Sequence, residues 1–300
     1  MMKLAGSVVA LVTPMQQDGA IDFEALSRLI EWQISSRTAG ILVAGSTGES
    51  LALTEAERHQ LITAAVNAAK GRIPIIAGTG TAATQTTIAF TQAAESAGAD
   101  AALIVTPYYT KPTPLGLYQH YQAVAASSTL PIFLYNIPGR TGVDLLPETI
   151  ARLGEIKNII GIKEATGNLE RAKAILQLLG PDFLIFSGDD ATALTWMLNS
   201  CAKGVVSVTA NVAPALMQAM CEKAIQGEVN SATQLNDQLS ALHKDLFLES
   251  NPIPTKWALQ KMGKIQSGIR SPLTTFSAQH HQTLERTLQQ AGVFEETHPC

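Results

Sequence analysis

Eight short apolar runs, each followed by a helix-like pattern, recur along the chain, and this alternation narrows the possible folds more than any other feature. The runs are Val8–Val12, Ile41–Ala44, Ile73–Ala77, Ala101–Val105, Ile132–Tyr135, Ile159–Lys163, Phe183–Phe186 and Gly204–Val208. They are nearly continuous in apolar residues, the pattern of parallel strands covered on both faces. The segments between them carry helix start and stop signals. Asp22 precedes a stripe of Phe23, Leu26, Leu29 and Ile30, and Thr54-Glu55-Ala56-Glu57 reads as a capping box. Pro147 and Pro214 suit first helical turns, Asn168 suits a cap, and Gly98, Gly154, Gly180 and Gly227 suit exits. Eight strand-then-helix units with no strand-only block predict an α/β chain closed as a (β/α)8 TIM barrel, with a doubly wound sheet as the alternative. From residue 227 the pattern is helical only, so the expected division is a barrel over 1–226 and a C-terminal helical extension over 227–300. Helices are expected there near Ser231–Leu248, Pro254–Met262 and Ala278–Ala291, and the polar tail Glu295–Cys300 is expected to be loose.

Composition removes several function classes. The chain is 46% hydrophobic, yet no stretch nears the ~20 unbroken apolar residues of a membrane helix. Val8–Val12 is too short for a signal peptide and runs into Thr13-Pro14. A net charge of -4 with scattered Lys and Arg argues against nucleic acid as a partner. Cys201, Cys221 and Cys300 are odd in number and lack paired spacing, so neither a disulfide frame nor a zinc site is expected. His59, His120, His243, His280, His281 and His298 fall in predicted helices or the tail, none at a strand end, so no metal is expected. The simplest class is a soluble cytoplasmic protein with neither membrane nor nucleic-acid partner.

In such a barrel, chemistry sits at the carboxyl ends of the strands. There the chain places Gly45-Ser46-Thr47-Gly48-Glu49, Gly78-Thr79-Gly80, Thr106-Pro107-Tyr108-Tyr109, Tyr135-Asn136, Lys163-Glu164, Ser187-Gly188-Asp189-Asp190 and Thr209-Ala210-Asn211. Nearly every candidate reactive group therefore gathers on one rim. Period-2 alternation sets Ile159, Gly161 and Lys163 on one face and Ile160 and Ile162 on the other, with Gly161 expected to leave empty volume beside the lysine stem. A lysine buried there would lose charge and become a nucleophile, whereas one snorkelling to solvent would not.

The glycines of Gly45-Ser46-Thr47-Gly48, expected to lead into a helix, free backbone N–H groups to meet an anion such as a carboxylate; a plain βα turn is the other reading. Tyr135 shares a face with Phe133 and is either a core tyrosine or a proton carrier beside the amine. Arg140, in a Pro-Gly-bracketed loop, suits a carboxylate through its fork. Tyr108-Tyr109 reads equally as packing or interface. Gly78-x-Gly80-x-x-Ala83 with Asp100 farther on is a degenerate dinucleotide fingerprint, but it follows the third strand rather than the first.

Together, Gly45–Ser50, Tyr135–Gly142 and Gly161–Gly167 resemble the signatures of the dihydrodipicolinate synthase (4-hydroxy-tetrahydrodipicolinate synthase) family. Ser187–Asp190, Ser207–Asn211 and Asn251–Lys256 extend the likeness, which runs from Gly6 to about Gly292. The resemblance implies a carbon–oxygen lyase of lysine and diaminopimelate biosynthesis that condenses pyruvate with L-aspartate 4-semialdehyde. It implies a homotetramer, a dimer of dimers, with no metal or organic cofactor. Carried over residue by residue, it makes Lys163 the site of a covalent pyruvate imine. Ser46, Tyr135 and Tyr109 become a hydroxyl relay, with Tyr109 given across a subunit interface. Thr47 offers its N–H to the pyruvate carboxylate, Arg140 takes the semialdehyde carboxylate, and Gly188 and Val206 line the pocket.

Two departures stand out. Ser46 replaces the family's usual Thr, keeping the hydroxyl but losing the methyl that restricts its rotamer. Lysine-responsive members tend to carry His, Asn and Glu near the positions of Glu55, Arg58, Ala82 and Thr86, so weak or absent inhibition by lysine is expected. The nearest alternative function is a pyruvate-releasing aldolase acting on N-acetylneuraminate or a keto-deoxy sugar acid. Arg140 argues against it, because a polyol calls for neutral partners. A nicotinamide dehydrogenase and a non-catalytic ligand-binding barrel are the readings from other classes.

Overall fold

All eight runs form strands in the computed structural model, which describes residues 4–294. They are β1 (Gly6–Ala10), β2 (Gly40–Val43), β3 (Ile75–Gly78), β4 (Ala101–Val105), β5 (Ile132–Asn136), β6 (Ile159–Glu164), β7 (Leu184–Ser187) and β8 (Gly204–Ser207). Each pairs in parallel with the next, and β8 returns to β1 through Val8↔Val206, closing the barrel. The doubly wound alternative is thereby excluded.

The helices are α1 (Phe23–Ser35), α2 (Glu55–Ala69), α3 (Thr84–Ser96), α4 (Pro114–Ala126), α5 (Pro138–Thr141), α6 (Pro147–Gly154), α7 (Leu169–Leu179) and α8 (Asp190–Leu198). After them come α9 (Pro214–Ile225), α10 (Val229–Asp245), α11 (Ile253–Lys261) and α12 (His281–Gln290). The capping signals work as read. Thr54 accepts from the N–H of Glu57 at 3.2 Å while the Glu57 carboxylate accepts from the N–H of Thr54 at 2.9 Å. Asn168 caps α7 by accepting from the N–H of Arg171 at 3.2 Å. The Gly45–Gly48 loop does not run straight into a helix. A 3-10 turn, Ser50–Ala52, intervenes before α2.

Two apolar layers result. Val8, Leu42, Leu103, Phe133, Phe186 and Val206 fill the inside of the barrel. Val9, Ile41, Ile104, Leu134, Ile162 and Val205 face the helices, and this outer layer continues into α10–α12 through Leu239, Leu242, Leu259, Leu284 and Leu288. The C-terminal helices thus share a core with the barrel they cover.

The expected face of Ile159 is corrected by an irregularity in the ladder. Ile159 pairs with Ile132 and Gly161 with Phe133, leaving Ile160 as an extra residue. Because strand faces alternate, one added residue flips what precedes it. Ile159 therefore joins Ile162 in the outer layer, and Ile160 packs against the inner one. The empty volume expected at Gly161 is also absent. A Cβ there would stand 2.3 Å from the Leu184 carbonyl oxygen and 2.8 Å from the Phe133 ring, so the glycine serves close approach of β7.

Cys201 and Cys221 are buried free thiols, and burial pushes both upward in pKa. His59, His120 and His243 lie on helices, while His280 ends a 3-10 turn and His281 begins α12. His298, Cys300 and the tail fall outside the described residues. No helix among the described residues is long and apolar enough to cross a membrane.

Candidate active site

Pairing β5 with β6 sets Tyr135 beside Lys163, and pairing β6 with β7 sets Lys163 beside Phe186. The lysine points inward near the carboxyl end of the barrel and is only 7% exposed. Its Nζ lies 4.3 Å from the centre of the Tyr135 ring. Burial pulls its pKa down to about 8; Asp190 pulls it back up and Arg140 adds to the lowering. Burial pushes Tyr135 up to about 12, with Arg140 and the Ser46 hydroxyl acting the other way. A Cβ on Gly188 would meet the Lys163 stem at 3.0 Å and Ala165 at 2.6 Å, so only glycine lets β7 close over the lysine.

Above Lys163 opens a cleft of about 650 Å³, lined in part by Ser46, Thr47, Tyr135, Arg140, Lys163 and Gly188. Six of the eight residues singled out in the sequence thus meet in one place. Val206 lies lower, at a small gap in the barrel packing lined by apolar side chains and, as the one polar group, Lys163. Tyr109 stands apart, 91% exposed, in an outer basin of about 2120 Å³ that joins the cleft through Ser46, Ile137 and Arg140.

The site loops are braced from outside. Ala44 at φ 53° and Glu49 at φ 54° bracket the Gly45–Gly48 loop in the left-handed region, and Tyr109 has φ 72°. Such conformations persist where surrounding contacts over-determine them. Glu49 supplies one such contact: its carboxylate takes the Lys256 ammonium at 2.5 Å and the Arg270 N–H at 3.0 Å. Behind β5 and β6, the Asn136 amide donates to Glu164 at 3.0 Å and to Asp144 at 2.8 Å, and Arg171 donates to Asp144 at 2.5 Å. Burial raises the Glu164 pKa, opposed by the bonds from Asn136 and Thr166. Asp190 accepts the N–H groups of Val208 and Thr209 at 3.0 and 2.9 Å, tying the β7 end to the β8 end.

The profile of the dihydrodipicolinate synthetase family matches residues 3–291. The chain belongs to this family. It is 51% identical to the 4-hydroxy-tetrahydrodipicolinate synthase of Pseudomonas aeruginosa, over 97% of this chain and 99% of that one. Its fold is similar to the chloride-inhibited dihydrodipicolinate synthase of Acinetobacter baumannii complexed with pyruvate, with a TM-score of 0.95 and 50% identity over 97% of this chain and 100% of the other. A monomeric dihydrodipicolinate synthase variant is also similar, with a TM-score of 0.94 and 38% identity over 97% of this chain and 98% of that one.

Several residues around this family member's cleft carried no role in the sequence reading. Asn251 lines the cleft, and Glu49, Lys256 and Asp190 hold its walls. The only signal for Asn251 and Lys256 was that they lay in a stretch resembling the family, because nothing local marks a contact made across 204 or 207 positions.

Proposed function

We propose that the chain condenses pyruvate with L-aspartate 4-semialdehyde through an imine on Lys163. The observation that carries this reading is a buried amine with a lowered pKa at the base of a cleft whose mouth holds Arg140. The neutral Nζ attacks the pyruvate ketone carbon, and loss of water gives a cationic imine. That cation is an electron sink, so a methyl proton leaves and an enamine forms. Ser46 and Tyr135 carry protons away and back, with Tyr109 completing the relay from a neighbouring subunit. Thr47 holds the pyruvate carboxylate, with Gly188 and Val206 shaping the space around the lysine. The enamine carbon attacks the aldehyde carbon of the second substrate, held by Arg140. The substrate's own amine then displaces Lys163 and closes the ring. Each step is supplied by side chains, and the reading needs no cofactor.

The pH profile tests the nucleophile. Only the neutral amine attacks, and with a pKa of about 8 its share rises with pH up to that point. Hence kcat/KM for pyruvate is expected to climb up to about tenfold per pH unit below about pH 8 and to level above it. Steady-state rates across this range check the point, and a flat profile below pH 8 would contradict it.

We infer self-association through the outer basin, as expected for a dimer of dimers. Tyr109 at 91% exposed and Leu51 at 76% line that basin together, and large apolar groups so placed mark interfaces. Leu51→Glu is expected to sediment as a smaller species than the unmodified protein. Identical sedimentation would reject this face as the interface.

Weak response to lysine is the third expectation. The buried Arg58 guanidinium donates to the carbonyls of Gly78 at 2.8 Å and Ser50 at 2.6 Å and lies 4.5 Å above the Phe90 ring. It adds a fixed positive charge near Ser50, which disfavours a second cation there. Activity should hold at submillimolar lysine, and a steep loss would refute the idea.

A further inference from the structure

The loop that carries Thr47 is flanked by Gly45 and Gly48, which leave its backbone free to take many conformations. Something outside the loop must therefore hold it. The Thr13 hydroxyl holds the Gly48 carbonyl at 2.7 Å, and the contact to Thr47 itself is made by a residue far along the chain. The Asn251 side-chain amide donates to the Thr47 hydroxyl at 2.9 Å, and both residues are about 5% exposed or less. Asn251 is itself fixed. Its side-chain oxygen accepts from the Thr255 hydroxyl at 3.3 Å. Five residues on, Lys256 closes the buried ion pair with Glu49, two residues after Thr47. The same short segment thus grips the loop twice, once at each side of Gly48. The Asn251 main-chain carbonyl also faces the cleft's other cation, accepting from Arg140 at 3.4 Å.

We propose that Asn251 is a positioning residue for the carboxylate of the keto acid, acting through Thr47, while its main chain steadies Arg140. This rests on the reading of Thr47 as the group that offers its N–H to that carboxylate. A threonine hydroxyl tied to a buried donor, on a side chain that is stiff at its first torsion, anchors the Cα of the residue and so limits how far its backbone N–H can move. Removing the amide leaves the Thr47 hydroxyl without its partner, while the loop keeps its holds at Gly48, from the Thr13 hydroxyl at 2.7 Å, and at Glu49. The keto acid then binds less tightly. The Arg140 contact runs through the backbone, so a side-chain substitution at 251 spares it. The two substrates should therefore respond differently, which general loosening of the fold would not produce.

The test is a double-mutant cycle with steady-state kinetics. Asn251→Ala is expected to raise KM for pyruvate about tenfold. KM for the semialdehyde and turnover at saturation should stay within about threefold of the unmodified enzyme. Thr47→Val removes the same hydrogen bond from the other side and should raise pyruvate KM comparably. Because both changes delete one bond, the double variant should be no worse than either single one. Equal rises in both KM values, multiplying effects, or a pyruvate KM within twofold in Asn251→Ala would each overturn the proposal. If Asn251→Ala does not fold, Thr47→Val decides alone, and an unchanged pyruvate KM would count against the bond. Borohydride reduction of the unmodified enzyme with pyruvate separates this from the underlying function. An adduct on Lys163 alongside unchanged kinetics in the variants removes only the role of Asn251. No adduct removes the imine reading and the proposal with it.

Discussion

Lys163→Met is expected to abolish pyruvate trapping by borohydride and to lower turnover by at least about four orders of magnitude, roughly 5 kcal/mol of barrier. The substitution keeps a long unbranched stem that fits between Tyr135 and Phe186, so the cleft should keep its shape. What it deletes is the only amine among the residues lining the cleft. Tyr135→Phe provides the contrast. The ring beside Nζ remains and only its hydroxyl is lost, so the adduct should still form. Proton movement should slow, lowering turnover by ~10²–10⁴-fold. Mass spectrometry of the reduced protein separates the two outcomes. An adduct of undiminished yield in Lys163→Met would place the chemistry elsewhere.

The second large effect concerns stability. Lys256 and Glu49 have side chains only 5% and 1% exposed. Burial pulls the Lys256 ammonium down in pKa, and the Glu49 carboxylate pulls it back up. Lys256→Met removes the cation and strands a buried carboxylate, with only the Arg270 N–H left against it. Breaking one side of such a pair costs about 3–5 kcal/mol, which in a chain this long lowers Tm by of order 10 °C. Pairing it with Glu49→Gln should recover part of the loss, because no uncompensated charge then remains. Thermal unfolding of the three variants measures this. A Tm of Lys256→Met within about 2 °C of the unmodified protein would show that the charge finds solvent.

The architecture was legible because its physics is local and repetitive. A parallel strand covered on both faces must be apolar throughout, and a crossover helix must begin and end, so Thr54, Glu57 and Asn168 could be read as caps directly. Strand ends were less clear. The run Val8–Val12 continues to Leu11 and Val12, which are buried among the outer packing beyond the end of β1. Burial and ladder pairing leave the same mark on composition, so the eye follows one past the other. Lys163, Tyr135, Ser46, Thr47, Arg140 and Gly188 were legible because barrel geometry sends every strand end to one rim. Their supports were not. The partner of Glu49 lies 207 residues away, and no spacing rule spans that distance. The extra residue in β6 was equally hidden, since an insertion in a ladder is defined by its partner strand.

That doubled position at the foot of β6 has a wider consequence. It works as a phase shifter: the choice of residues packing the barrel floor is uncoupled from the heading of the amine four positions above Ile159. The extra residue turns Ile159 outward and Ile160 inward while Lys163 keeps its heading into the cleft.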